Sequence, residues 1–148
     1  MSAHRHKKGF TLLEITLSIG LLAILSVIAL PVYRSFQLNT ESANTSTIVA
    51  QSMRRASALS RAGQDDTTWG VNVQPGTVTV FRGASYATRD TTYDEDFDIP
   101  SNVSVSGLSE VVFDALTGNS ASTGVLTLTD VNGGVKTVTV NENGMVEY

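Results

Sequence analysis

No cysteine occurs in the 148 residues, so disulfides and cysteine-ligated zinc are both excluded and a folded domain must rest on packing alone. Histidine is nearly absent: the two, His4 and His6, fall within the first six residues. Proline occurs three times, tryptophan once, and charged residues make up only 16% of the chain. The formal net charge is −4, which disfavours phosphate-rich partners. Long apolar runs are absent too, with one exception. From Phe10 to Leu30 the chain carries a single charge, Glu14.

That segment of 21 residues would be about 31 Å long as a helix, the thickness of a bilayer's hydrocarbon core. It is longer than the apolar region of a secretory signal, and Pro31-Val32-Tyr33-Arg34 offers no small-residue cleavage site. Arg5, Lys7 and Lys8 precede it and Arg34 alone closely follows, which predicts a single-pass span with a cytoplasmic N-terminus and an exported remainder. Glu14 near the cytoplasmic end costs a few kcal/mol unless it is paired or reaches the headgroups. It is either an interfacial acid or a contact to another subunit.

Lys7-Lys8-Gly9-Phe10-Thr11-Leu12-Leu13-Glu14-Ile15 closely resembles the class III leader junction of type IV prepilins and type II secretion pseudopilins. The resemblance implies cleavage by a prepilin peptidase between Gly9 and Phe10 and N-methylation of the new Phe10 amine. It also implies that Glu14 neutralises the terminal amine of a neighbouring subunit during assembly. The implied partners are other pilin or pseudopilin subunits in a helical filament, the peptidase, an inner-membrane assembly platform, and membrane lipid before assembly. Loss of residues 1–9 would leave seven basic against fourteen acidic side chains and remove both histidines. No imidazole would then remain to activate a nucleophile, so an enzyme is not expected, nor a cofactor.

Four segments follow: a leader over 1–9, a transmembrane and assembly helix over 10–31, an amphipathic helix over 32–63 and an antiparallel β head over 64–148. Pro31 should bend the helix, which then resumes. Phe36, Ala43, Ala50, Met53 and Ala56 recur at helical spacing and mark the expected buried face, with Gly63 as C-cap. Asn39 to Thr47 is rich in poor helix formers, so its helicity depends on packing.

Beyond residue 66 the period becomes two. Trp69, Val71 and Val73, a turn at Gln74-Pro75-Gly76, then Val78 and Val80 read as a β-hairpin. Residues 82–100 lack periodicity and read as a long loop. Short strands are expected at 102–105, 111–113, 125–129, 135–140 and 145–148, with Asp130-Val131-Asn132-Gly133-Gly134 as a turn. The fold class is α+β: a long N-terminal helix whose second half covers one face of an antiparallel sheet. This agrees with the pilin fold, and Trp69–Gly83 looks like the first hairpin of GspH/FimT-type pseudopilins.

Asp94, Asp96 and Asp98 invite a calcium reading, but Ile99 stands where an EF-hand loop needs glycine and Val105 where it needs its bidentate glutamate, so no metal site is expected. Arg54, Arg55, Arg61, Arg82 and Arg89 suggest a phosphate-binding strip, or else they balance acids such as Asp65 and Asp66. Some FimT-like pilins bind DNA through a basic C-terminal tail, whereas residues 141–148 are acidic here, so DNA is not expected. The expected function is a structural subunit, pseudopilin or minor pilin, of a type IV pilus-like or type II secretion fibre. The alternatives are a DNA-binding competence pilin and a solitary membrane-anchored binding domain.

Overall fold

The computed structural model describes residues 9–63 and 66–148, with the backbone alone at 28–32, 34, 35 and 38. Helix α1 spans Leu12–Arg61, 50 residues, and Pro31 does not end it. Two compact units divide the chain, one up to Phe36 and one from Gln37 to Tyr148. In the first, the large apolar side chains from Phe10 to Val27 are all exposed. The second contains the core. The arrangement is α+β and pilin-like.

The helix ends as the sequence expects. Gly63 has φ +63°, the left-handed conformation that an L side chain resists, and its N–H donates to the Ser60 carbonyl at 3.2 Å. The buried helical face differs from the expected one. Ala50, Met53 and Ala56 are buried, but Phe36 and Ala43 are exposed, and the face is completed by Ser42, Thr45, Ser46, Val49, Ser52, Ser57 and Ser60. Small hydroxylated residues can occupy this face because their polar atoms are satisfied locally or across the interface. Thr45 Oγ1 donates to the Glu41 carbonyl and Ser46 Oγ to that of Ala43, both at 2.8 Å, while Ser60 Oγ donates to the Phe113 carbonyl at 3.0 Å. The run of poor helix formers is therefore helical because it is packed.

Eight strands follow: β1 Trp69–Gln74, β2 Thr77–Arg82, β3 Asp90–Asp98, β4 Ser104–Gly107, β5 Glu110–Phe113, β6 Gly124–Thr129, β7 Val135–Val140 and β8 Val146–Glu147. The first hairpin falls where the alternation puts it, with Gln74 opposite Thr77. The turn between β6 and β7 is likewise at Asp130–Gly134.

Two expectations are corrected. The head contains two four-stranded sheets rather than one, in the orders β3-β2-β1-β5 and β4-β6-β7-β8, and the chain changes sheet between β3 and β4, between β4 and β5, and between β5 and β6. Period-two alternation marks a strand's faces and says nothing about its neighbours, so the division is not visible in it. The stretch read as a loop over 82–100 holds a short 3-10 turn at Tyr86–Thr88 and the nine-residue β3. Because β3 is a sheet edge, it carries acids where an interior strand carries alternating apolar residues, which is how edges avoid unwanted pairing.

One core joins Val49, Ala50, Met53 and Ala56 of α1 to Trp69, Val71, Val80, Val111 and Phe113 of the first sheet and Leu126, Leu128, Val138 and Val140 of the second. Trp69 is 3% exposed, in keeping with its expected place on the packed face. Ser60 pins this junction: it accepts the Trp69 N–H at 3.1 Å, and its own carbonyl accepts the Leu116 N–H at 2.8 Å. On the far side of the first sheet, Phe81 lies in the space left by Gly70, where a Cβ would come within 2.8 Å of the Val111 carbonyl oxygen.

Candidate functional site

Gly9 and Phe10 precede α1 in non-helical backbone. A Cβ built on Gly9 meets nothing within 4 Å, and Phe10 is 80% exposed, so the peptide bond joining them is unobstructed by the described residues. Thr11 caps the helix: its Oγ1 accepts the Glu14 N–H at 3.2 Å, and its carbonyl accepts that of Ile15. Thr11-Leu12-Leu13-Glu14 thus has the Thr-x-x-Glu spacing of a capping box, with an acid in the first turn where the helix dipole favours one. Glu14 is exposed in the single chain. The basic leader residues Arg5, Lys7 and Lys8, and His4 and His6, lie outside the described residues.

Past Glu14 the helix presents Ile15, Leu17, Ile19, Leu21, Leu22, Ile24, Leu25 and Val27 to its surroundings. Its few hydroxyls are turned inward on the backbone. Thr16 bonds the Leu13 carbonyl at 2.9 Å, Ser18 that of Glu14 at 2.7 Å and Ser26 that of Leu22 at 2.8 Å, leaving few polar groups to oppose an apolar environment. Among the described residues no helix is long and apolar enough to cross a membrane. The last part of the span expected over 10–31 lies outside the described side chains.

In the head, the five arginines do not form a strip. Arg55 pairs with Glu95 through both Nε and Nη2, the latter at 2.7 Å, and Arg89 Nε donates to Asp94 Oδ2 at 2.8 Å. Hydrogen bonding to those carboxylates raises both guanidinium pKa values from an already high level. Arg82 sits over the Tyr93 ring at 4.5 Å, and its Nε donates to Thr67 Oγ1. Arg54 Nη2 donates to the Val146 carbonyl at 2.9 Å and Arg61 Nη2 to the Asn143 carbonyl at 3.1 Å. Among the described residues the balancing acids are Glu95 and Asp94; Asp65 lies outside the described residues.

Asp94, Asp96 and Asp98 lie on β3 at alternate positions, about 7 Å apart from one to the next. Asp94 is held by Arg89, and Asp96 Oδ1 accepts the Thr79 hydroxyl at 2.6 Å. Among the described residues no three His, Cys, Asp or Glu side chains converge as a metal site.

The periodicity gave no sign of Asp130. Its carboxylate accepts the backbone N–H of Asn132 at 2.8 Å and of Gly134 at 2.9 Å, and the Ser42 hydroxyl of α1 at 3.2 Å. The Gly134 N–H is the largest cause holding its pKa below the ordinary aspartate value, with burial opposing it and Asn132 and Ser42 assisting. The Asp-x-x-Gly-Gly composition marks the turn, but nothing local marks its tie to a helix 88 residues away.

Residues 4–30 match the family model of the prokaryotic N-terminal methylation motif. No curated protein and no solved structure matches the chain. The motif covers the junction described above, and the chain therefore carries a type IV pilin-like class III leader. This is the signature of a prepilin-peptidase substrate, consistent with a subunit that is first membrane-anchored and then exported into a pilus-like fibre.

Proposed function

We propose that this chain is a structural subunit, pseudopilin or minor pilin of GspH/FimT type, of a type IV pilus-like or type II secretion fibre. The observation that carries the reading is the N-terminal methylation motif over residues 4–30, which includes a Gly9-Phe10 bond unobstructed by the described residues at the start of an exposed apolar helix. The role is mechanical and non-enzymatic. The chain inserts with its N-terminus cytoplasmic and its head outside, the peptidase removes residues 1–9, and Phe10 is methylated. The exposed stem then exchanges lipid for the stems of its neighbours. Glu14 pairs with a neighbour's Phe10 amine, so that neither charge enters the apolar bundle alone. Heterologous contacts that do not close on themselves generate the open helix such a fibre requires.

Intact-mass and N-terminal analysis of protein from its native membrane tests this directly. The mature chain should begin at methylated Phe10, and Gly9→Leu should abolish the cut, since a bulky side chain keeps the peptidase from the backbone. A native N-terminus at Met1 or Ser2 would overturn the proposal.

A further inference from the structure

On one flank of α1, Arg54, Ser57 and Arg61 form a wall of an open cleft of about 520 Å³, closed opposite by Asn143, Met145 and Val146. Arg54 and Arg61 differ from the salt-bridged Arg55 and Arg89. Among the described residues neither has a carboxylate partner; each donates one N–H to a main-chain carbonyl, and Arg54 also faces the Tyr148 ring at 5.1 Å. A guanidinium carries five donors in a fixed fork suited to carboxylates, so both retain unused capacity at the cleft. The whole chain is negative, which makes this pair a local exception.

The complementary surface is on the same molecule. Strand β3 is the longest strand, lies at a sheet edge and carries Asp90, Asp94, Glu95, Asp96 and Asp98. Asp94 and Glu95 are used by Arg89 and Arg55, while Asp96 and Asp98 are exposed and, among the described residues, form no salt bridge; Asp96 accepts the Thr79 hydroxyl and adds to the negative field on Arg89, and Asp98 is the freer of the two. Two such strands repel one another, so this edge is suited to a basic surface rather than to its own copy. Arg55 reaches β3 through Glu95, and its neighbour Arg54 reaches β8 through Val146. Cleft and acidic edge therefore lie on different flanks of the helix, as a non-closing contact requires.

We propose that the Arg54–Arg61 cleft receives the β3 edge of a second copy of this chain, with Asp96 and Asp98 as its carboxylates. The pairing rests on the fibre-subunit reading and specifies how adjacent heads meet.

A charge exchange in the full chain, expressed at native level with its own assembly machinery, tests it. R54E/R61E should still be processed and should melt like the parent in detergent, but its yield in sheared fibres should fall roughly tenfold. D96K/D98K should behave alike, and the chain with all four changes should recover most of the loss. R54Q/R61Q keeps an amide donor for the Val146 and Asn143 carbonyls while removing the charge, so it should lose incorporation even if the glutamate variant folds poorly. Parental incorporation of R54Q/R61Q, or a fourfold variant no better than either double, overturns the pairing. Retention of the detergent-solubilised chain on duplex DNA at low salt, lost in R54E/R61E while fibre yield is unchanged, would assign the cleft to phosphate and also overturn it. Absence of the unsubstituted chain from sheared fibres would instead overturn the subunit reading, and this pairing with it.

Discussion

Glu14 is a helix-end acid in the structure and a charge partner under the proposed function, and the magnitudes of the two roles separate them. As an acid in the first helical turn, behind the Thr11 cap, it contributes about 0.3–1 kcal/mol to the helix. As the partner of a terminal ammonium in an apolar bundle it offsets a cost of roughly 3 kcal/mol or more. Glu14→Gln keeps the shape and the capping amide but not the charge. Under the proposed function it should insert and be cleaved normally, while its share of sheared fibres falls well beyond the few-fold change that a lost helix-end charge explains. Normal incorporation of this variant would leave Glu14 as a helix-end acid only. Gly70 is a second residue whose chemistry decides an outcome. A methyl there meets Phe81 and the Val111 carbonyl oxygen at once, so Gly70→Ala should lower head stability by about 1–3 kcal/mol, readable as a loss in melting temperature. The two positions differ in legibility. The motif around Glu14 is legible because it lies within nine consecutive residues, while the residue's part in assembly belongs to the proposed function. Nothing local marks Gly70, because the ring it accommodates comes from the next strand and the carbonyl from a strand 41 positions on.

At the scale of elements, the sequence was informative wherever one strand face was buried and silent where it was not. Trp69–Gln74 and Thr77–Arg82 alternate because one face meets α1, and their two-residue connection fixes the register. Asp90–Asp98 does not alternate, because its pairing with β2 is made by the backbone and none of its side chains is fully buried: they meet solvent, arginines, the Thr79 hydroxyl and the edge of Trp69. Hydrophobicity points to Phe36 and Ala43 as helix-face residues, whereas the true face is lined by serines and a threonine that bond backward or across. One of those serines, Ser42, joins the β6–β7 turn to the helix through Asp130. The folded carboxyl titrates below the ordinary aspartate range, so its contribution is present in full above the unfolded pKa of about 4 and is lost as pH falls through the lower folded value. Asp130→Asn should therefore destabilise the chain at neutral pH, and the gap in melting temperature from the parent should close as pH falls below the ordinary aspartate value and through the lower folded one. A gap that does not depend on pH would mean that the turn relies on the geometry of the side chain and not on its charge.

The whole molecule combines a unit whose described apolar side chains are exposed with one that holds the core. All core residues fall within Gln37–Tyr148, whereas the exposed Leu, Ile and Val side chains of the helix lie before Phe36. A chain beginning at Gln37 should accordingly be soluble without detergent, unfold cooperatively and give a mixed α/β circular dichroism spectrum. Restoring residues 10–36 should make it detergent-dependent. The head alone should also be a monomer at micromolar concentration even if the Arg54–Arg61 cleft binds β3 of another copy. Two exposed ion pairs contribute about 1–2 kcal/mol together, far below the roughly 8 kcal/mol that a micromolar complex needs. Inside a fibre the packed stems raise the local concentration of heads to the millimolar range, where so small a term still changes incorporation by about tenfold. Sedimentation of the head should thus show one species at physiological salt, unaffected by R54E/R61E, while the same substitutions in the full chain reduce fibre yield. A stable head dimer sensitive to R54E/R61E would mean that the contact is stronger than paired surface charges can supply. A disordered or wholly helical spectrum would mean that the head cannot fold without the preceding helix.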